Sequence, residues 1–126
     1  MMRSLTAFFA TVLLSTASMA APVIGQAAPD FKGMDIISGK EVSLAGLKGK
    51  TIVLEWHNPG CPFVKKYYSG GDMQKLQADA SKDSVVWISV NSAGNAEKQG
   101  WQADAKAAKA MLAEVKSSAA HYLLDK

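Results

Sequence analysis

Cysteine is almost missing from this 126-residue sequence; Cys61 is the only one. One thiol excludes an internal disulfide, so the fold is not a small scaffold stapled by bridges. It also excludes a cysteine-rich metal site. His57 and Cys61 are ligand-compatible types, but zinc takes three or four protein ligands, and neither a metal nor another cofactor is expected. Arginine is as scarce: Arg3 is the only one, and every lysine after it sits among interspersed carboxylates. No basic run alternates with aromatics, which excludes a nucleic-acid partner held in a strand-tracking groove. No apolar run reaches the roughly 20 residues that cross a bilayer.

The first twenty residues have the pattern of an export signal. "MMR" is a positive start, "SLTAFFATVLLSTA" an apolar centre, and "SMA" a small-residue cleavage site before Ala21. A retained anchor is the competing reading. Cleavage takes Arg3 away and lowers the formal net charge of +3 by one. The expected organisation is a signal peptide at 1–20 and a single domain at 21–126, of a size that folds alone. The mature protein is then periplasmic or extracellular, with no stable membrane anchor. An exported free thiol meets oxidants, so Cys61 is an apolar filler, half of an intermolecular disulfide, or a reactive thiol.

Along the domain, "DFKGMDIISGKEVSL" (30–44) has short apolar pieces around a turn and predicts a β-hairpin. "TIVLEW" (51–56) and "SVVWISV" (84–90) are apolar runs of the kind found in strands covered on both faces. A helix is expected from Cys61, interrupted or bent at Gly70-Gly71 and continued by Met73, Leu76 and Ala80 at helical spacing. Trp101, Ala105, Ala108, Leu112 and Val115 fall on one stripe of a further helix, with Trp101 heading the buried face. "HYLLD" (121–125) opens a third strand. Strands alternating with helices imply parallel pairing and an α/β fold. Met34, Met73 and Met111 are expected to fill core, Trp56 and Trp87 to pack in core or rim, and Tyr67 and Tyr68 to be half-buried.

The stretch "WHNPGCPFVKK" (56–66) carries the chemistry. A thiol reacts as its thiolate, and a cysteine at the first turn of a helix faces unpaired N–H groups and the positive end of the dipole. Pro62 suits the first helical position, where its missing N–H costs nothing. Lys65, one turn on, and Lys66 beside it favour the anion modestly, being also ordinary solvated charges. His57 is a polar loop residue or a proton relay. These features predict an acidified Cys61, with the helix terminus as the main cause.

Together, "APDF" (28–31) with "GKEVSLAGLKGK" (39–50), "TIVLEWHNPGCPFV" and "SVVWISVNS" resemble the redoxin group of the thioredoxin superfamily, the alkyl hydroperoxide reductase and thiol-specific antioxidant proteins. The likeness runs over residues 25–125. It implies a thioredoxin-like fold with an N-terminal hairpin and a central mixed sheet. It also implies oxidoreductase chemistry on a peroxide or disulfide, with Cys61 as the catalytic residue and Asn58, His57, Pro62 and Lys65 supporting it. Val64 replaces the second cysteine of the thioredoxin motif, so an external thiol reductant is expected to resolve the intermediate. Asn58 stands where peroxiredoxins carry threonine, and its amide N–H can reach a thiolate or a peroxide oxygen. The resemblance further implies C-terminal strands, a cis-proline and a final helix that are absent from these 126 residues. On that basis "HYLLD" is expected to leave an exposed, aggregation-prone edge. A catalytically inactive thioredoxin-like scaffold is the alternative.

Overall fold

The computed structural model describes residues 22–125. The leader expected at 1–20 lies outside the described residues. Among those described, no helix is long and apolar enough to cross a membrane.

The hairpin forms where the turn residues place it. Strand β1 (Lys32–Met34) runs antiparallel to β2 (Glu41–Ser43), with Gly33 opposite Val42. Its turn closes through Asp35 N–H to the Lys40 carbonyl and Gly39 N–H to the Asp35 carbonyl, both 2.8 Å. Gly39 sits there at φ 71°, in the left-handed region that glycine enters freely. A single 3-10 turn, Ala45–Leu47, then leads to β3 (Ile52–Trp56).

Strand β3, β4 (Val86–Asn91) and β5 (His121–Leu124) form a wholly parallel sheet in the order β3-β4-β5. Leu54 lies opposite Ile88, and Ser89 opposite Tyr122. The hairpin is a separate two-stranded sheet, and the antiparallel bridge Asp35–Leu123 joins it to β5, which makes the assembly mixed. Asp35 is the clasp. Only 1% exposed, its carboxylate accepts from Ile37 N–H (3.0 Å), Ser38 N–H (3.1 Å), the Ser38 hydroxyl (2.6 Å) and Tyr122 N–H (3.0 Å) and lies 3.1 Å from His121 Nδ1. Burial raises its pKa, but the Ser38, Tyr122, His121 and Ile37 hydrogen bonds outweigh burial and hold it at about 2. This clasp corrects one expectation. The outer edge of β5 is engaged by the hairpin, with Ile36 N–H donating to the Tyr122 carbonyl at 2.8 Å. The edge strand without a second partner among the described residues is β3.

Helices cover one face of the sheet. Between β3 and β4 come α1 (Pro62–Ser69) and α2 (Asp72–Lys82), broken at the expected glycine pair, with Gly71 at φ 82° capping α2. Between β4 and β5 comes α3 (Ala105–Glu114). On this face Ile36, Ala108, Leu112 and Tyr122 pack together. The opposite face carries Val42, Ile88 and Leu123, with Phe31, Leu47, Ile52, Val86 and Val90 against them.

Two expectations, for Trp101 and Met34, fail here, and α2 buries a polar residue. Helix α3 begins at Ala105 because the Asp104 carboxylate caps it, accepting from Ala107 N–H at 2.8 Å; Trp101 therefore lies in the preceding loop and is exposed. In α2 the buried residue is Gln77, while Leu76 faces outward, because the sheet beneath presents a carboxylate rather than apolar surface. Met34, at the end of β1, is 58% exposed and fills no core.

Candidate functional site

The loop after β3 lies at the C-terminal ends of the parallel strands, where open α/β sheets place their ligand crevices. Strand alternation sends Leu54 and Trp56 to the hairpin side and Glu55 and His57 to the helix side. Glu55 is charged in an otherwise apolar run, and its carboxylate collects donors from three elements. It accepts from Trp87 Nε1 and the Ser89 hydroxyl (both 2.8 Å), the Tyr68 hydroxyl (3.0 Å) and Gln77 Nε2 (3.3 Å). Four donors satisfy a carboxylate that an apolar interior would otherwise penalise by several kcal/mol. Burial, with the Glu55 charge added, pushes the Tyr68 hydroxyl well above its usual range.

His57 is 2% exposed and stacks edge-on to Tyr68 and Tyr122, at ring separations of 4.9 and 5.5 Å. Its Nδ1 lies 3.1 Å from the Tyr122 hydroxyl, which donates at 2.8 Å to Gln102 Oε1. The tyrosine has one proton to give, so the network assigns the imidazole hydrogen to Nδ1. Asn91 Nδ2 joins the chain, donating to Gln102 Oε1 (3.0 Å) and to the Gly100 carbonyl (2.9 Å). Burial holds His57 below its ordinary pKa, with Glu55 pulling the other way. His57 is the first residue of the loop, as expected, but its side chain is buried and forms the floor beneath the rest of it.

Above that floor the loop is fixed by side-chain turns. Asn58 Oδ1 accepts from Gly60 N–H at 2.8 Å, and Asn58 Nδ2 donates to the Gln99 carbonyl at 2.9 Å. The loop from β4 to α3 is pressed against it. A Cβ on Gly100 would fall 1.8 Å from Asn58 Oδ1, and one on Gly60 would fall 2.4 Å from Gln99 Cγ. Only glycines permit this approach. One of the Asn58 amide hydrogens is thus spent on the neighbouring loop.

Cys61 follows as the N-cap residue of α1, extended at φ −71° and ψ 128°, with Pro62 at the first helical position. Its N–H donates to the Asn58 carbonyl at 2.9 Å, and its carbonyl accepts from Lys65 N–H at 3.0 Å. The thiol is free and partly exposed. It makes no capping hydrogen bond to the first-turn amides, so the sulfur stands at the helix start without taking up the donors there. Lys65 and Lys66 are exposed on α1, and Lys66 Nζ lies 5.6 Å from the Tyr67 ring centre. Tyr67 is exposed and Tyr68 buried. Trp56, 66% exposed, donates from Nε1 to the Ser92 hydroxyl at 3.0 Å.

The structure therefore brings His57, Asn58, Cys61 and Pro62 into one strand–loop–helix corner, with Lys65 one turn along. Sequence reasoning missed Glu55, Gln77, Gln102 and Gly100. A signal existed for Glu55, a charge inside an apolar strand. Among the described residues, no three His, Cys, Asp or Glu side chains gather closely enough to hold a metal ion.

No curated protein matches the sequence. An uncharacterized conserved protein from Geobacillus kaustophilus superposes with a TM-score of 0.67 at 26% identity, over 81% of this chain and 52% of its own. A hypothetical protein from Sinorhizobium meliloti gives 0.64 at 20% identity, over 84% and 55%. A secreted Mycobacterium tuberculosis disulfide oxidoreductase gives 0.54 at 21% identity, over 75% and 60%. The chain thus spans little more than half the length of these structures, and the last two speak to the thioredoxin-like fold alone. The AhpC/TSA family model matches residues 24–123, nearly the whole described domain. The chain belongs to the AhpC/TSA family.

Proposed function

We propose that the protein is an exported thiol oxidoreductase working through Cys61, with an external thiol completing each cycle. The observation that carries this reading is the state of the cysteine: a free, partly exposed thiol at the N-cap of α1, on a loop locked by Asn58 and two glycines. An inert cysteine would be expected inside one of the two apolar clusters, and Cys61 is in neither. Membership of the AhpC/TSA family and the oxidoreductase among its structural neighbours support the same reaction class.

The cycle needs no second protein sulfur. With a disulfide substrate, the Cys61 thiolate attacks one sulfur, the S–S bond breaks, and the other half leaves as a thiolate with the bonding pair. An external thiolate then attacks the mixed disulfide and releases Cys61. With a peroxide, the thiolate takes the terminal oxygen, the O–O bond breaks, and an alcohol or water departs once protonated. The resulting sulfenic acid condenses with one external thiol, losing water, and a second thiol regenerates Cys61. His57 and Asn58 shape the loop from which the sulfur acts, and Pro62 starts the helix behind it.

A second reading has one specific observation behind it. Val64 occupies the position of a resolving cysteine, which suits a binding scaffold without turnover. Turnover decides between them. With dithiothreitol as reductant and either hydrogen peroxide or a small disulfide as oxidant, the wild type is expected to consume oxidant and Cys61→Ser to fall to the uncatalysed rate. Equal rates for both oxidants would end the enzyme reading and leave the scaffold.

A further inference from the structure

Helix α3 ends on a residue that its backbone does not favour. Ser117 N–H donates to the Leu112 carbonyl (3.0 Å) and Lys116 N–H to the Ala113 carbonyl (3.2 Å), so the last turn closes by a chain reversal. The residue making that reversal is left-handed, and the position ordinarily holds glycine. Here it is Lys116, at φ 51°. Glycine would turn the chain without a Cβ to strain it, so what the lysine adds is its side chain.

That side chain borders a cavity of about 440 Å³ between α3 and the hairpin turn, a size that suits a small ligand. Ile37, Leu112, Ala113 and Ala119 give it an apolar lining, and Lys109 and Lys116 supply its charge. Both lysines are exposed, and neither pairs with a carboxylate among the described residues. No acid lines the cavity. Glu114, five residues beyond Lys109, falls about 140° round the helix and lines a separate cleft toward α1 and α2, which Lys116 also borders. Asp35, two residues before Ile37, is 1% exposed, with its oxygens taken up by Ile37, Ser38, Tyr122 and His121. Ile37 itself is 42% exposed, apolar surface open to water beside two unpaired ammonium groups.

We propose that this cavity binds a single-chain amphiphile with an anionic head, a carboxylate or phosphate on a hydrocarbon tail. Lys109 and Lys116 hold the head, and the tail covers Ile37, Leu112 and Ala119. Removing the tail and the open isoleucine from water drives the binding, and the two ammonium groups select the sign of the head. The site is independent of Cys61, and no step of the sulfur chemistry passes through it.

Octanoate and octyltrimethylammonium carry similar tails and heads of opposite charge, and calorimetric titration of the full chain below their micellar concentrations compares them. Octanoate is expected to bind about tenfold more tightly at about 0.02 M ionic strength, with the gap narrowing at about 1 M. Inorganic phosphate, which has no tail, is expected to bind more weakly than octyl phosphate. The double variant Lys109→Gln, Lys116→Gln is expected to close the gap between the two heads. Lys116→Gly is expected to raise the urea midpoint while weakening octanoate binding. Equal affinity for both heads, or a gap that survives in the double variant, would overturn the assignment. So would a lower urea midpoint for Lys116→Gly, which would show the lysine serving the helix end. Phosphatidylglycerol vesicles separate the two sources of such a head group. Cosedimentation with them, without binding of free octanoate, would make this surface a membrane contact and overturn the cavity site.

Discussion

His57 shows how one side chain sets both a geometry and a pH dependence. Its ring fills the space beneath the 57–61 loop, with Tyr68 and Tyr122 at its edges and the half-buried Glu55 carboxylate on its own strand. Burial lowers its folded-state pKa below the 6.5 of an exposed imidazole, so the unfolded chain binds the proton first as pH falls. Stability from this residue is therefore fully present above pH 6.5 and is lost as pH drops below that value, until the folded histidine also protonates. Asp35 works in a separate window, between its ordinary 3.8 and about 2, where acid removes the clasp between hairpin and sheet. Urea titrations from about pH 7 to about pH 5 should show the wild type losing up to roughly 1.4 kcal/mol per pH unit through His57. His57→Gln, whose amide can still donate to Tyr122, should be less stable at neutral pH and show a shallower slope. Parallel slopes for the two proteins would mean that the buried imidazole is not the group responsible.

Loops 57–61 and 95–102 are one element in physical terms, since each supplies the other's missing contacts. Gly100 stands at φ 79° with no room for a methyl group, and Asn58 bridges to Gln99 beside it. Gly100→Ala should cost roughly 2–4 kcal/mol, and should change the rate at which Cys61 is alkylated in the folded protein by shifting the Asn58 turn. Unfolding by urea and iodoacetamide labelling check the two halves, and an alanine variant with wild-type stability and labelling would remove the clamp from the account. Local pattern could not have revealed this contact. The runs "TIVLEW" and "SVVWISV", the glycine break after α1 and the start of β5 were legible because period and turn chemistry are written in neighbouring residues. The placement of Trp101 failed because a spacing argument ignored the Asp104 cap, which was also in the sequence. The burial of Gln77 was not legible, because its partners Glu55 and Tyr68 come from other elements. The same holds for the site: the order Asn58-Cys61-Pro62 announced the corner, whereas the histidine floor depends on Tyr122, far along the chain.

At the scale of the whole molecule, the polar interior and the bare edge of the sheet are complementary facts. The helix side is closed by hydrogen bonds through Glu55 and His57, while the hairpin side is covered only in part. Leu54 is 43% exposed and Trp56 more so, and they border an open, mainly apolar hollow of about 480 Å³ with Phe31, Gly33 and Leu123. Beside them runs the outer edge of β3, whose N–H and C=O groups have no strand partner among the described residues. A straight apolar strand with an open edge pairs readily with a second copy, and a charge on its solvent side is the usual protection. The wild type should therefore self-associate as concentration rises. Leu54→Lys should suppress this, because two lysines brought together across paired β3 edges repel one another and lose hydration. The side chain is already near solvent, so the substitution should leave the fold intact, which the far-ultraviolet spectrum can verify. Sedimentation velocity over a concentration series reads the outcome: a sedimentation coefficient that climbs for the wild type and stays constant for the variant. Should both remain monomeric throughout, the open edge is harmless; should both associate equally, the contact lies elsewhere on the surface.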